Sequence, residues 1–167
     1  LKWYKYRGRD IIPLWVADMD FQAPAAVRAA LAKAVEHGCF GYTLPSERLK
    51  AAICEQLERD YAWRIEPRAI VWLPGVVTGL NVSCRATGAP GTTVATAVPV
   101  YPPFLTAPAL SERELYTFEL ACEQEAYGLK LAAGDLPANT SLFLLCNPHN
   151  PVGRVFSRAE LENLAQV

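Results

Sequence analysis

The chain has 167 residues, 51% apolar and 20% charged, with a formal net charge of −1. That balance suits one soluble globular domain, or part of a larger one. The absence of a Lys/Arg block argues against nucleic acid or a membrane surface as partner. No apolar run is long enough to span a bilayer, and the N-terminal seven residues do not form a signal peptide. Five cysteines are widely spread without a Cys-x-x-Cys pair, so they are expected to be buried free thiols in a reducing, cytoplasmic setting. His37 and His149 are too isolated to build a zinc site. The sequence starts at Leu1 and stops at Val167 inside a helical pattern, so it is expected to be a piece of a longer protein.

In chain order, residues 11–21 are an extended lead-in segment. Pro24 suits a first helical position, Val27, Leu31 and Val35 form an apolar stripe, and Gly38 is a stop. Residues 40–43 are a loop. Ser46 is placed to cap a second helix, on which Leu49, Ile53 and Leu57 recur every four residues. Residues 69–73 read as a short buried strand that passes through Gly75 into a helix ending near Gly88. Residues 91–100 are β-rich and lead through Tyr101-Pro102-Pro103-Phe104 into a short helix. Strands are expected at 114–119, 127–131 and 142–146. Ser157-Arg158-Ala159-Glu160 has the spacing of a capping box at the start of a last helix. Strands alternating with helices imply an α/β fold, a mostly parallel sheet flanked by helices on both faces.

Three strand-end loops are candidates for chemistry, because open α/β sheets bind ligands beyond the carboxyl ends of their strands. At Gly75-Val76-Val77-Thr78-Gly79-Leu80 a helix begins, and its first N–H groups can take an anion; a plain turn is the alternative. Tyr101 stands before two prolines that stiffen its backbone, so its ring can cover a flat heteroaromatic ligand, or simply belong to core or surface. Cys146-Asn147-Pro148-His149-Asn150-Pro151-Val152-Gly153-Arg154 holds two Asn-Pro pairs, with each asparagine kept out of the helical region. Asn150 is the better ligand candidate there and Asn147 reads as a turn residue. Asp18 and Asp20 are expected in a rigid buried segment without an acid/base role, His149 is expected at the surface, and Arg154 is expected to be solvated or to hold a neighbouring loop.

Leu14-Trp15-Val16-Ala17-Asp18-Met19-Asp20-Phe21, Gly41-Tyr42, the Gly75 segment, Val100-Tyr101-Pro102-Pro103-Phe104 and Asn147-Pro148-His149-Asn150-Pro151-Val152-Gly153-Arg154 occur here in one order. Together they resemble the fold-type I pyridoxal-phosphate enzymes, and more narrowly the cystathionine β-lyase (C–S lyase), MalY/PatB-like branch of the class I/II aminotransferase family. The resemblance implies an incomplete large domain of that fold over residues 46–167, preceded at 1–45 by an arm and small-domain segment with a substrate-side loop. It implies pyridoxal 5′-phosphate as cofactor, its phosphate on the backbone N–H groups of Val76 and Val77. Tyr101 would stack on the pyridine ring and Asn150 would bond its 3′-oxygen. Tyr42 would reach the phosphate of a neighbouring subunit in a homodimer, and Ala17 and Asn150 would face the amino-acid substrate. The implied reaction is α,β-elimination of cystathionine or a related cysteine conjugate to a thiol, pyruvate and ammonia; an aminotransferase, or a non-catalytic regulatory module of the same fold, are the alternatives. The family's catalytic lysine lies in a Ser-x-x-Lys context, and none of Lys2, Lys5, Lys33, Lys50 or Lys130 has that context. The 167 residues by themselves are therefore expected to bind the cofactor weakly and to turn nothing over.

Overall fold

The computed structural model describes residues 1–123 and 126–167. It consists of two compact units, Leu1–Pro67 and Arg68–Val167.

In the first unit, α1 (Ala25–His37) follows Pro24, which occupies the capping position itself, and ends at Gly38 with φ 73°. Helix α2 (Glu47–Tyr61) is capped by Ser46, whose hydroxyl accepts from the Leu49 N–H, which satisfies one of the orphan donors of the first turn. Neither helix buries a residue. Ahead of them the segment expected to be buried is largely exposed. Asp20 is an anchor on its surface: its carboxylate takes Lys2 Nζ at 2.8 Å and Trp3 Nε1 at 2.7 Å. Those two donors hold the Asp20 carboxyl below the usual carboxylate range. Lys5 lies over the Trp15 ring at 4.3 Å, a cation–π contact.

The second unit contains the sheet. Strands β1 (Thr93–Val98), β2 (Glu114–Glu119) and β5 (Thr140–Phe143) run parallel in the order β2-β1-β5. β3 (Ala121–Glu123) and β4 (Ala126–Gly128) form a separate antiparallel pair, so the expected 127–131 strand is shorter and stands outside the main sheet. Helices α3 (Val76–Ala86), α4 (Pro103–Thr106) and α5 (Arg158–Leu164) complete the unit. The bonds Val98–Pro99, Asn147–Pro148 and Asn150–Pro151 are cis.

β1 is the central strand and is buried on both faces. Val94 packs with Leu80 and Cys84 of α3, with Phe104 and with Leu144; Ala97 packs on the other face with Leu120, Leu129 and Phe156, backed by Leu161 and Leu164 of α5. The period-two alternation of a strand divides its side chains between these two clusters. Both faces are thus covered, as the alternating pattern implied.

Three further expectations fail. Residues 69–73 are not a strand: Val71 is 79% exposed and Trp72 44% exposed, and no described strand pairs with them. An apolar run becomes a strand only where a neighbour accepts its backbone N–H and C=O groups. The 142–146 strand begins and ends earlier, at Thr140–Phe143: the Leu144 N–H still bonds Ala95 O, but the Leu144 carbonyl accepts from the Thr96 hydroxyl at 3.0 Å. Of the five free thiols only Cys84 is buried, and burial pushes its thiol up.

Candidate functional site

Arg113 fixes the direction of α3 against the sheet. Its buried guanidinium donates to Cys84 O at 2.7 Å, to Thr87 O, to Thr92 O at 3.0 Å and to Ser141 Oγ. Cys84 lies in the last turn of α3 and Thr87 caps it, Thr92 precedes β1, Arg113 precedes β2 and Ser141 is the second residue of β5. The C-terminus of the helix therefore meets the amino ends of all three strands. An 11-residue helix spans roughly 16 Å, close to the roughly 20 Å of a six-residue strand. The start of α3 thus lies at the carboxyl edge of the sheet.

At that start Gly75 has φ 146° and ψ 166°, a region essentially confined to glycine. The first intrahelical bond runs from Gly79 N to Gly75 O, so the N–H groups of Val76, Val77 and Thr78 precede the ladder and remain available. A Cβ placed on Gly75 meets nothing within 4 Å. The backbone here is an open cradle for an anion, and the helix dipole favours negative charge in it. Beside it, Ile70, Trp72 and Leu73 line an apolar hollow with Gly75, Gly79 and Leu80.

The same edge carries the other two loops. Tyr101 lies three residues beyond the end of β1 and is 39% exposed. Asn150 lies beyond β5, the neighbour of β1, and is exposed. The two loops are tied together by His149, whose Nε2 lies 2.9 Å from Pro99 O. His149 is buried (1% exposed), contrary to the surface position expected for a residue between prolines. Its ring meets Phe156 edge-on at 5.7 Å. Its backbone is pinned as well: its N–H donates to Arg154 O and its carbonyl accepts from Gly153, both at 2.7 Å.

Asn147 has the turn role: its Oδ1 accepts from Phe156 N at 3.2 Å. Cys146 Sγ accepts from Asn150 N at 3.4 Å, a brace that no motif announces. Arg154 holds neighbouring chain rather than an acidic ligand, with Nε on Tyr127 O at 2.7 Å and Nη2 on Glu160 Oε2 at 2.9 Å. Glu160 in turn closes the capping box with Ser157. The Ser157 N–H, ahead of its hydroxyl and the Leu129 N–H, keeps the Glu160 carboxyl below its ordinary range.

Of the residues singled out in the sequence, Val76, Val77, Tyr101 and Asn150 share this edge of the second unit. Tyr42 and Ala17 belong to the first unit and are both exposed.

A family model described as aminotransferase class I and II matches residues 9–167. The chain belongs to that family. It is 38% identical to the cystathionine beta-lyase PatB of Bacillus subtilis, over all of this chain and 45% of PatB. Two solved structures superpose closely. The crystal structure of OvoB matches with TM-score 0.94 and 43% identity, over 99% of this chain and 44% of OvoB. Cystalysin from Treponema denticola, a structure containing pyridoxal 5′-phosphate, matches with TM-score 0.88 and 31% identity, again over 99% and 44%. The family fold is therefore present in part, as a parallel-sheet portion of the fold-type I large domain, and the chain spans under half the length of these relatives.

Proposed function

We propose that the protein to which this chain belongs is a pyridoxal-phosphate-dependent carbon–sulfur β-lyase, which releases a thiol, pyruvate and ammonia from cystathionine or a related cysteine conjugate. The observation that carries the reading is the meeting of a helix start, a proline-backed tyrosine and an exposed asparagine at one sheet edge, in a chain 38% identical throughout to a cystathionine beta-lyase. The cofactor fits the donors present: a phosphate needs N–H groups and close backbone approach, and Gly75 with the amides after it offers both.

In this reading the Val76 and Val77 N–H groups hold the phosphate. The Tyr101 ring covers one face of the pyridine, and the Asn150 amide donates to the 3′-oxygen without bringing a charge. When bound, the cofactor supplies an electron sink for the pair left after loss of a proton next to the amino group. Ala17 and Asn150 face the substrate. Tyr42 reaches the phosphate of a second subunit, which makes the enzyme a homodimer with shared sites. Residues 1–45 serve as the arm and small-domain segment, 46–167 as part of the cofactor domain, and the enzyme works in the cytoplasm. The catalytic lysine is supplied by sequence outside these 167 residues.

Transamination on the same scaffold is the second reading, favoured by the family model itself. The separating experiment incubates the full-length protein with L-cystathionine. Pyruvate and thiol formed without any keto acid support the lyase. Amino transfer that depends on an added keto acid, without thiol release, replaces it with the aminotransferase.

A further inference from the structure

We propose that His149 is a positioning residue, which couples the orientation of Tyr101 to that of Asn150 through the bond from its Nε2–H to the Pro99 carbonyl. The inference rests on the cofactor reading above and adds to it how the two contacts are held at a fixed separation.

The chemistry of the bond fixes the proton. A carbonyl oxygen only accepts, so the Nε2 that lies 2.9 Å from Pro99 O carries the hydrogen. In the neutral ring Nδ1 is then a bare lone pair. That atom is buried and without a partner among the described residues, an arrangement that costs stability. An apolar ring of similar size would fill the same space and keep the edge contact with Phe156 without that cost. What histidine adds is the donor, aimed at a residue 50 positions earlier in the chain.

The donor acts between two loops that otherwise share only the apolar cluster in which Val100 lies and against which Cys146 packs, among the interactions described. Pro99 stands two residues before Tyr101, and His149 directly precedes Asn150. Each loop also has its own bracing: Tyr101 O accepts from Phe104 N at 3.0 Å, and Asn150 N donates to Cys146 Sγ. These local bonds set each loop separately, and the His149 bond sets one against the other. A flat ligand held by a ring on one loop and an amide on the other feels that separation directly.

The test uses the full-length protein with pyridoxal phosphate and the variants H149F, H149Q and N150A. Long-range nitrogen NMR of the wild type is expected to show Nε2 protonated and Nδ1 bare; the opposite tautomer overturns the proposal. In H149F the cofactor dissociation constant is expected to rise about tenfold, the upper range for one lost neutral hydrogen bond, with the melting temperature nearly unchanged. In H149Q the side-chain amide can reach the Nε2 position, so affinity is expected to return to within about threefold. If H149F keeps wild-type affinity, or both variants lose affinity in step with melting temperature, the role is structural only and the proposal fails. Should H149F not fold, H149Q decides: wild-type affinity supports the tie, and lost affinity at unchanged melting temperature refutes it. N150A reports on the functional reading. If it leaves affinity and absorption unchanged, that reading falls and this inference with it. If N150A loses both while H149F loses neither, the inference alone falls.

Discussion

Gly75 sits where only glycine is comfortable, although a Cβ there meets no other atom. The cost of replacing it is therefore conformational, of order 1–3 kcal/mol, and it falls on the residue that opens the proposed phosphate cradle. G75A is expected to lower the unfolding free energy by about 2 kcal/mol and to weaken cofactor binding beyond that of a surface control; urea titration and cofactor titration check both. Glu160 gives a prediction with a sign. Its carboxyl is held below the ordinary glutamate value, so its stabilising contribution is complete above about pH 4.3 and is lost as pH falls through the lower folded value. E160Q is expected to be less stable than wild type at pH 7 and to close that gap on acidification, read from urea midpoints between neutral and acid pH. Residue identity in the sequence was enough to single out Gly75, Tyr101 and Asn150, because glycine, proline and asparagine act locally on their own backbone. It was not enough for His149, whose burial depends on a carbonyl 50 positions away.

At the level of elements, caps and periodicity translate directly into structure where the signal is local. Ser46, Gly38 and Ser157 end or begin helices as their side chains or backbones dictate. The 69–73 run does not, because its apolar character describes a strand with partners and the described residues supply none. The β3–β4 pair is the converse in part: β4 overlaps the strand expected at 127–131, whereas β3, three residues long, is too short to leave a pattern. The joint that orients α3 was also invisible in sequence, since a lone arginine before a strand reads as solvated. Arg113 bonds three backbone carbonyls and one hydroxyl from a buried position. R113A strands those acceptors and is expected to cost about 3 kcal/mol, with faster amide exchange at Thr92, Thr93 and the last turn of α3. Exchange rates unchanged at those amides would remove Arg113 from the account.

Across the whole molecule, the buried hydrophobic core lies in the second unit, among residues 80–156. The first unit shows an unfilled α1 stripe, with Val27 49%, Leu31 61% and Val35 68% exposed. Trp72 and its neighbours are likewise open, and apolar surface of this extent marks places where other protein packs. The 167 residues prepared alone are expected to bind hydrophobic dyes and to aggregate, whereas the full-length protein is expected to bind little dye and to assemble no further than the homodimer proposed above; equal dye binding by both would show that the longer protein leaves these faces bare. The central claim concerns the carboxyl edge of the sheet, and a crystal structure of the full-length protein grown with pyridoxal phosphate tests it most directly. The phosphate is expected on the amides of Val76 and Val77, the ring against Tyr101 and its 3′-oxygen within hydrogen-bond distance of Asn150. Cofactor found at any other place on the fold, with those residues bare, would contradict the account.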